Sequence, residues 1–289
     1  MNLQERDRTR TVRNLVIFSV VVLASGWLGY GLDRLMDAPT GQPGLGMLLW
    51  LVLPLITALL LRGFAGDGWA DFGLRPAFRG NLAWYAASIL IYPLVAGLVL
   101  AIGWALGFVS APNFSLGLLL AVVAGGLIGS FIKNIFEEFA WRGYLAPKVY
   151  ALGLNAYVGH MIVGLIWGCW HIPYLLFMLD RAAIHATTTQ SMATFIPMGI
   201  ISLVGASIAY GELRILTGSL WPPLLLHTVG NAFVDVLVVQ GFVKLTHGTD
   251  ILVSPGHQSL LTLLFFTLIG VGLHRVRVKK EGQGRKVLP

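Results

Sequence analysis

Two adjacent carboxylates, Glu137 and Glu138, lie inside a segment that is otherwise mostly apolar. Lys133 stands four residues before Glu137, and Arg142 stands four residues after Glu138. An ionisable side chain at the centre of a membrane-spanning helix costs about 3 kcal/mol or more unless it is paired or hydrated. This cluster therefore predicts a functional site within the membrane.

The spacing of these charged residues predicts which of them form ion pairs. Residues four apart share a helix face, so Lys133 can pair with Glu137, and Glu138 with Arg142. The two glutamates diverge by about 100° around the axis, so one can face a site while the other binds Arg142. The alternative is that all four charges form a structural ladder of ion pairs at the cytoplasmic end of the helix.

Two later apolar segments carry imidazole and amide groups. His171 lies in IWGCWHIPYLL, four residues after Trp167. His227, Asn231 and Asp235 are spaced i, i+4 and i+8, which makes one polar stripe on an apolar helix. Such a stripe must face water or the protein interior. Hydrogen bonding between helices would also explain it.

Together these groups allow peptide hydrolysis without a Ser or Cys nucleophile. Glu137 can take a proton from water while His171 helps to hold that water. His227 and the Asn231 amide can donate to the developing oxyanion. A zinc version is the competitor, with Glu137, His171 and His227 as ligands and one open position for water. We favour the metal-free version, without cofactor, because no HExxH motif occurs and Lys133 disfavours a divalent cation.

The composition indicates a membrane protein that positions these groups on helices. Of 289 residues, 56% are hydrophobic and 11% are charged, whereas globular domains are about 25% charged. We predict an all-α, polytopic bundle, one membrane domain over residues 1–289, with eight transmembrane helices. The predicted spans are 14–32, 44–61, 82–107, 116–142, 157–179, 195–213, 221–243 and 258–274. The single cysteine, Cys169, excludes an intrachain disulfide and a Cys-based metal cluster.

The basic residues predict the orientation of the bundle. Sixteen of the twenty Lys and Arg residues fall in the predicted inner segments, whereas the outer loops hold Arg34, Arg181 and Lys244. This bias predicts that both termini are cytoplasmic. The net charge of +7 resides mainly in the two tails, so we expect contact with anionic membrane lipids and no nucleic acid partner.

Two further expectations concern the ends and loops of the spans. The first apolar run is long for a signal sequence and lacks a clear cleavage site, so we expect an uncleaved span. His185, His247 and His257 fall in predicted outer loops, where we expect no catalytic role.

Three motifs on separate spans resemble those of the CAAX protease and bacteriocin-processing (Abi) family, whose eukaryotic members include the Ras-converting endopeptidase. They are Glu137-Glu138-x-x-x-Arg142, Trp167-x-x-x-His171 and His227-x-x-x-Asn231. The motif core covers about residues 67–243 and is strongest over 130–235. Trp167 departs from the family, which more often has Phe there, and its bulkier indole would narrow the peptide channel.

The resemblance implies an eight-helix intramembrane protease whose site opens to the cytoplasm. It implies that Glu137 is the base that activates water, that Glu138 and Arg142 support it, and that His171 assists. His227 and Asn231 would then form the oxyanion site.

Two residues outside the motifs have expected supporting roles. We hypothesise that Lys133 keeps Glu137 ionised by proximity, in a setting where burial favours the protonated acid; the alternative is that Lys133 extends toward the lipid headgroups. Asp235 is expected to orient the His227–Asn231 stripe or to balance Lys133 across the bundle.

The sequence therefore predicts an intramembrane endopeptidase that cleaves a membrane-associated or lipidated peptide, in a prokaryotic inner or plasma membrane. A non-catalytic scaffold or immunity protein of the same family is the second hypothesis. A transporter that uses the carboxylates as a proton relay is the third, and it is weakened because no pair of matching broken helices is evident.

Overall fold

The computed structural model describes residues 3–39, 41–42, 44–112 and 114–283, apart from the side chains of Leu3, Gln4, Ala183 and Asp235. The helices are α1 (Leu3–Leu35), α2 (Leu45–Phe64), α3 (Leu82–Ala105), α4 (Leu116–Ala140), α5 (Ala146–Tyr150), α6 (Ala156–Trp170), α7 (Arg181–His185), α8 (Met192–Thr217), α9 (Trp221–Val239), α10 (Asp250–Val253) and α11 (Leu260–Gly282). Two π-helical turns, Trp141–Leu145 and Tyr174–Met178, follow α4 and α6. Strands β1 (Val109–Ser110) and β2 (Lys244–Leu245) pair antiparallel.

Eight helical segments in the described ranges are long and apolar enough to cross a membrane, which confirms the predicted all-α membrane fold. They are Glu5–Leu35, Leu45–Phe64, Leu82–Ala105, Leu116–Tyr150, Ala156–Met178, Met192–Thr217, Trp221–Val239 and Leu260–Gly282. Each overlaps one predicted span, because long apolar runs must satisfy their backbone groups as helices in lipid.

The fourth span is longer than the predicted 116–142. After α4 the chain continues through the π-helical turn Trp141–Leu145 directly into α5, so the helical segment ends only at Tyr150. A π-helical turn inserts one extra residue into a helix and often lies at a functional site. Here the inserted turn contains Arg142, and all five of its residues are buried.

The fifth span, Ala156–Met178, matches the predicted 157–179 to within one residue at each end and contains a local break in the helix. Helix α6 ends at Trp170 with His171 as its C-terminal cap, and the chain resumes as the turn Tyr174–Met178. Pro173 lies within the break, where its missing N–H and its ring interrupt the helical hydrogen bonds. The side chain of His171 therefore projects from a helix end. The seventh span also ends at Val239, four residues before its predicted end.

The break is held by aromatic packing. The Trp50 ring of α2 stacks on Trp170 at 4.0 Å and on Tyr174 at 4.3 Å, and its indole N–H donates to the Trp170 carbonyl at 3.0 Å. Gly26 of α1 faces the Pro173 ring, and a Cβ at this position would overlap it. This packing fixes the end of α6, which carries His171.

The loop 65–81 is fastened to the bundle by buried charge. The Arg62 guanidinium, at the end of α2, binds the Asp71 carboxylate at 2.7 Å, and Lys148 of α5 binds the other oxygen of Asp71 at 3.0 Å. Arg214 of α8 donates to the Asp71 carbonyl at 2.6 Å. One short loop thereby connects α2, α5 and α8.

Asp71 is stabilised in its ionised form. Burial would raise the pKa of its carboxyl, but the hydrogen bonds and charges of Arg62 and Lys148 outweigh burial and hold the pKa below its ordinary value. A carboxyl whose pKa is lower in the folded state stabilises the fold above about pH 4, and that stabilisation is lost as the pH falls further.

We expect Asp71→Asn to lower the free energy of unfolding by about 1–3 kcal/mol at pH 7, because two charge-assisted hydrogen bonds are weakened. The measurement is thermal unfolding in detergent micelles at pH 7 and below pH 4. Asp37→Asn, at an exposed position, is the matched control. Equal melting temperatures for Asp71→Asn and the parent protein at pH 7 would contradict this account.

Candidate functional site

The three motif-bearing helices meet at the end of α4. Glu137 and Glu138 lie in its last turn, Trp167 lies in the last turn of α6 with His171 at its end, and His227 lies in α9. Both glutamates are fully buried, and His227 is 6% exposed. The site is therefore enclosed by protein within segments that are long and apolar enough to cross a membrane.

Glu138 is the electrostatic centre of the site. Its Oε1 accepts from Arg142 Nη1 at 2.8 Å and from His227 Nδ1 at 2.8 Å. The Glu138–Arg142 pair expected from the spacing is present, and the structure adds His227 as a second partner. The carboxylate thus orients the imidazole on a different helix.

Arg142 is held from both faces and through its backbone. Its guanidinium carbon lies 4.3 Å from the ring centres of both Trp167 and Tyr210, a cation–π arrangement that stabilises the charge. The Arg142 carbonyl accepts from Arg214 Nε at 3.1 Å, and the next carbonyl, of Gly143, accepts from Arg62. These two arginines satisfy backbone groups of the π-helical turn, which keeps Arg142 aimed at Glu138.

Glu137 faces the other helices. Lys133 Nζ lies 3.0 Å from its Oε1, so the predicted pair is present and Lys133 does not extend away to the headgroups. The indole N–H of Trp167 donates to Oε2 at 3.1 Å, and His227 Nε2 lies 4.0 Å from the same oxygen. The two adjacent carboxylates therefore have different partners, with only His227 shared between them.

His171 is oriented by its own helix. Its Nδ1 donates to the Trp167 carbonyl at 2.9 Å, which leaves Nε2 of the neutral ring as an acceptor. Its ring centre lies 6.3 Å from that of Trp167, whose indole also binds Glu137 and packs against the His227 ring. The structure thus brings His171 together with the other two groups.

Asn231 lies one turn beyond His227 and binds a residue that the sequence reasoning missed. Its Nδ2 donates to Asn134 Oδ1 at 2.9 Å, across α9 and α4. Asn134 is fully buried and lies three residues before Glu137. Its position next to the charge cluster in an apolar helix was the signal that could have identified it.

Asp235 and His160 lie on the same helices as the site residues. Asp235 lies on α9, but its side chain is outside the described part of the structure. His160, on the His171 face of the predicted span, belongs to a separate cluster, where it binds Glu212 at 2.9 Å. His274 and Arg277 of α11 bind the same carboxylate. This second cluster fastens α6 and α8 to α11.

A catalytic zinc ion needs three protein ligands that converge on one point. Among the described residues, no three His, Cys, Asp or Glu side chains form a group that could hold one. Glu137 is engaged by Lys133 and Trp167, and His227 Nδ1 is engaged by Glu138. In this arrangement the three predicted zinc ligands contact protein groups.

Comparison with known families identifies the segment that contains this site. Residues 119–233 match the family described as Rce1-like, type II CAAX prenyl endopeptidase. The matched residues include all three motifs, together with Lys133 and Asn134. Comparison with curated proteins gives no match. Over residues 119–233, which contain the three motifs, the chain is similar to the Rce1-like type II CAAX prenyl endopeptidases, a family of proteases.

Proposed function

We propose that this protein is an intramembrane endopeptidase in which Glu137 activates water. The observation that carries the proposal is the division of roles between two buried, adjacent carboxylates. Glu138 binds Arg142 and His227 through one oxygen, whereas Glu137 lies 4.0 Å from His227 Nε2 and is held by Lys133 and Trp167. We assign the structural role to Glu138, whose Oε1 binds both Arg142 and His227, and the water-activating role to Glu137.

The reaction follows from these positions. Glu137 takes a proton from a water molecule that also donates to His171 Nε2, and the water oxygen bonds to the peptide carbonyl carbon. The carbonyl oxygen becomes an oxyanion. Glu137 then gives its proton to the leaving nitrogen as the C–N bond breaks, which yields a carboxylic acid and an amine and restores the carboxylate.

His227 and Asn231 stabilise the oxyanion in this proposal. Glu138 occupies His227 Nδ1, so Nε2 is the ring nitrogen that we assign to the oxyanion. The Asn231 amide is held by Asn134. Fixed donors in an enclosed site cost little reorganisation during the reaction, which makes them effective.

The substrate class is proposed from the family name and the membrane setting. A type II CAAX prenyl endopeptidase acts on a prenylated peptide, so we propose a membrane-associated or lipidated peptide. We further propose that the site opens to the cytoplasm of a prokaryotic cell, because the basic side chains Arg62, Lys148 and Arg214 lie at this end of the bundle.

Glu137→Gln is expected to lower the cleavage rate at least about 1,000-fold, because the amide cannot accept the proton from water. The measurement is cleavage of a fluorogenic prenylated CAAX peptide in proteoliposomes, with and without EDTA. Peptide termini in native membranes containing either protein are then compared to find the natural substrate.

Glu281→Gln, at a partly exposed pair with Arg277, is the matched control. If Glu137→Gln supports the same cellular phenotype as the parent chain and no peptide terminus differs, the scaffold hypothesis is preferred. Loss of activity in EDTA with recovery on added zinc would replace the metal-free reaction with the zinc version.

Lys133→Met tests whether the ammonium group keeps Glu137 ionised. Removal of a positive charge 3.0 Å away favours the protonated acid, so we expect the acidic limb of the pH–activity profile to move to higher pH. Lys133→Arg should retain the parent profile. An unchanged acidic limb in Lys133→Met would refute the role.

Trp167→Phe removes the indole N–H that binds Glu137 and keeps an aromatic ring beside Arg142 and His227. We expect kcat to fall about tenfold, which corresponds to the free energy of one hydrogen bond to a charged group. Trp141→Phe is the control, since the Trp141 indole N–H has no hydrogen-bond partner among the described residues. Equal rates for Trp167→Phe and the parent protein would show that this hydrogen bond does not hold the carboxylate.

A further inference from the structure

The loop between α9 and α11 folds inward and brings a histidine into the bundle. Val253 and Ser259, on either side of His257, are fully buried. The backbone is anchored where Gln190 donates to the Gln258 carbonyl at 3.0 Å and Thr262 donates to the Ser254 carbonyl at 3.0 Å. The predicted outer loop that contains His257 is therefore packed against the bundle.

His257 contacts the middle of α3. Its ring stands perpendicular to the Tyr92 ring at 5.6 Å, and its Nε2 forms a short hydrogen bond with the Tyr92 hydroxyl. Burial lowers the pKa of His257 to about 3, and the nearby His227 and His171 act in the same direction. The imidazole is therefore neutral at pH 7.

Tyr92 connects His257 to the site. Its hydroxyl lies 3.2 Å from the Tyr210 hydroxyl. The Tyr210 ring lies 4.3 Å from the Arg142 guanidinium and stands perpendicular to the His227 ring at 5.8 Å. Tyr92 can approach α9 this closely because Gly230, next to Asn231, has no side chain. A Cβ at Gly230 would lie 2.5 Å from the Tyr92 ring.

We infer that His257 is a positioning residue for the site, which acts through Tyr92 to hold the Tyr210 ring against Arg142 and His227. Without the His257 contact, the Tyr92 hydroxyl is free to turn from Tyr210, and the ring that covers Arg142 loses its polar anchor. Its role rests on the proposed function, since Arg142 and His227 must serve catalysis for their alignment to matter.

The test measures kcat and KM on the fluorogenic prenylated CAAX peptide for His257→Leu, Tyr92→Phe and their double variant. We expect each single change to lower kcat about 3- to 10-fold with KM within about twofold, the effect of one lost hydrogen bond. The double variant should be no slower than the slower single variant, because both substitutions remove the same hydrogen bond between His257 and Tyr92. Tyr210→Phe should show a similar loss.

Conservative variants test whether the hydrogen bond from His257 to Tyr92, and not only the packing of the His257 side chain, is required. His257→Gln places an amide near the Nε2 position and should restore most of kcat, whereas His257→Asn places its amide near Nδ1 and should not. His247→Leu, at an exposed histidine of the same loop, should behave as the parent protein. Rescue by Asn and not by Gln, or losses that multiply in the double variant, would overturn the inference.

A stability measurement distinguishes the two proposals. The same single and double variants are compared by thermal unfolding, which needs no substrate. If Glu137→Gln cleaves the peptide as fast as the parent protein, the proposed role of Glu137 is wrong, whatever the His257 and Tyr92 variants show. Additive changes in melting temperature for His257→Leu and Tyr92→Phe would instead show that the His257–Tyr92 contact is absent.

Discussion

The structure depends on the burial of two neighbouring carboxylates at membrane depth. Each buried charge is unfavourable unless other groups compensate it, and each of these two carboxylates has one compensating partner on its own helical segment and one on another helix. Lys133 and Trp167 bind Glu137, while Arg142 and His227 bind Glu138. The helices α4, α6 and α9 must therefore pack in one arrangement.

Support for this cluster extends outward in layers. Aromatic rings cover the Arg142 guanidinium, and Arg214 and Arg62 donate to backbone carbonyls of its π-helical turn. Both of these arginines also bind Asp71 in the loop 65–81. On the opposite side, Tyr210 covers Arg142 and is in turn bound by Tyr92. A site of this kind is positioned by a network of side chains that spans most of the bundle.

The sequence predicted the features that depend on local periodicity and composition. The eight spans follow from apolar runs, and the Lys133–Glu137 and Glu138–Arg142 pairs follow from i, i+4 spacing. The hydrogen bond from Trp167 to Glu137, the Asn134–Asn231 pair and the inward turn of His257 depend on how distant segments pack. No spacing rule within one helix contains that information. The local break at His171 is intermediate between these two kinds of feature, because Pro173 marks an interruption in the sequence but does not define how the chain continues after it.

The π-helical turn at Trp141–Leu145 sets the rotational phase of the two helices that it joins. It contains one residue more than an α-helical turn would, so side chains before and after it are offset by about 100° relative to a continuous helix. Lys148 reaches the loop 65–81 on one side while Glu137 faces α6 and α9 on another. Deletion of a single residue from this turn would regularise the helix and make those two directions incompatible. Changes of chain length here are therefore constrained more strictly than changes of side chain.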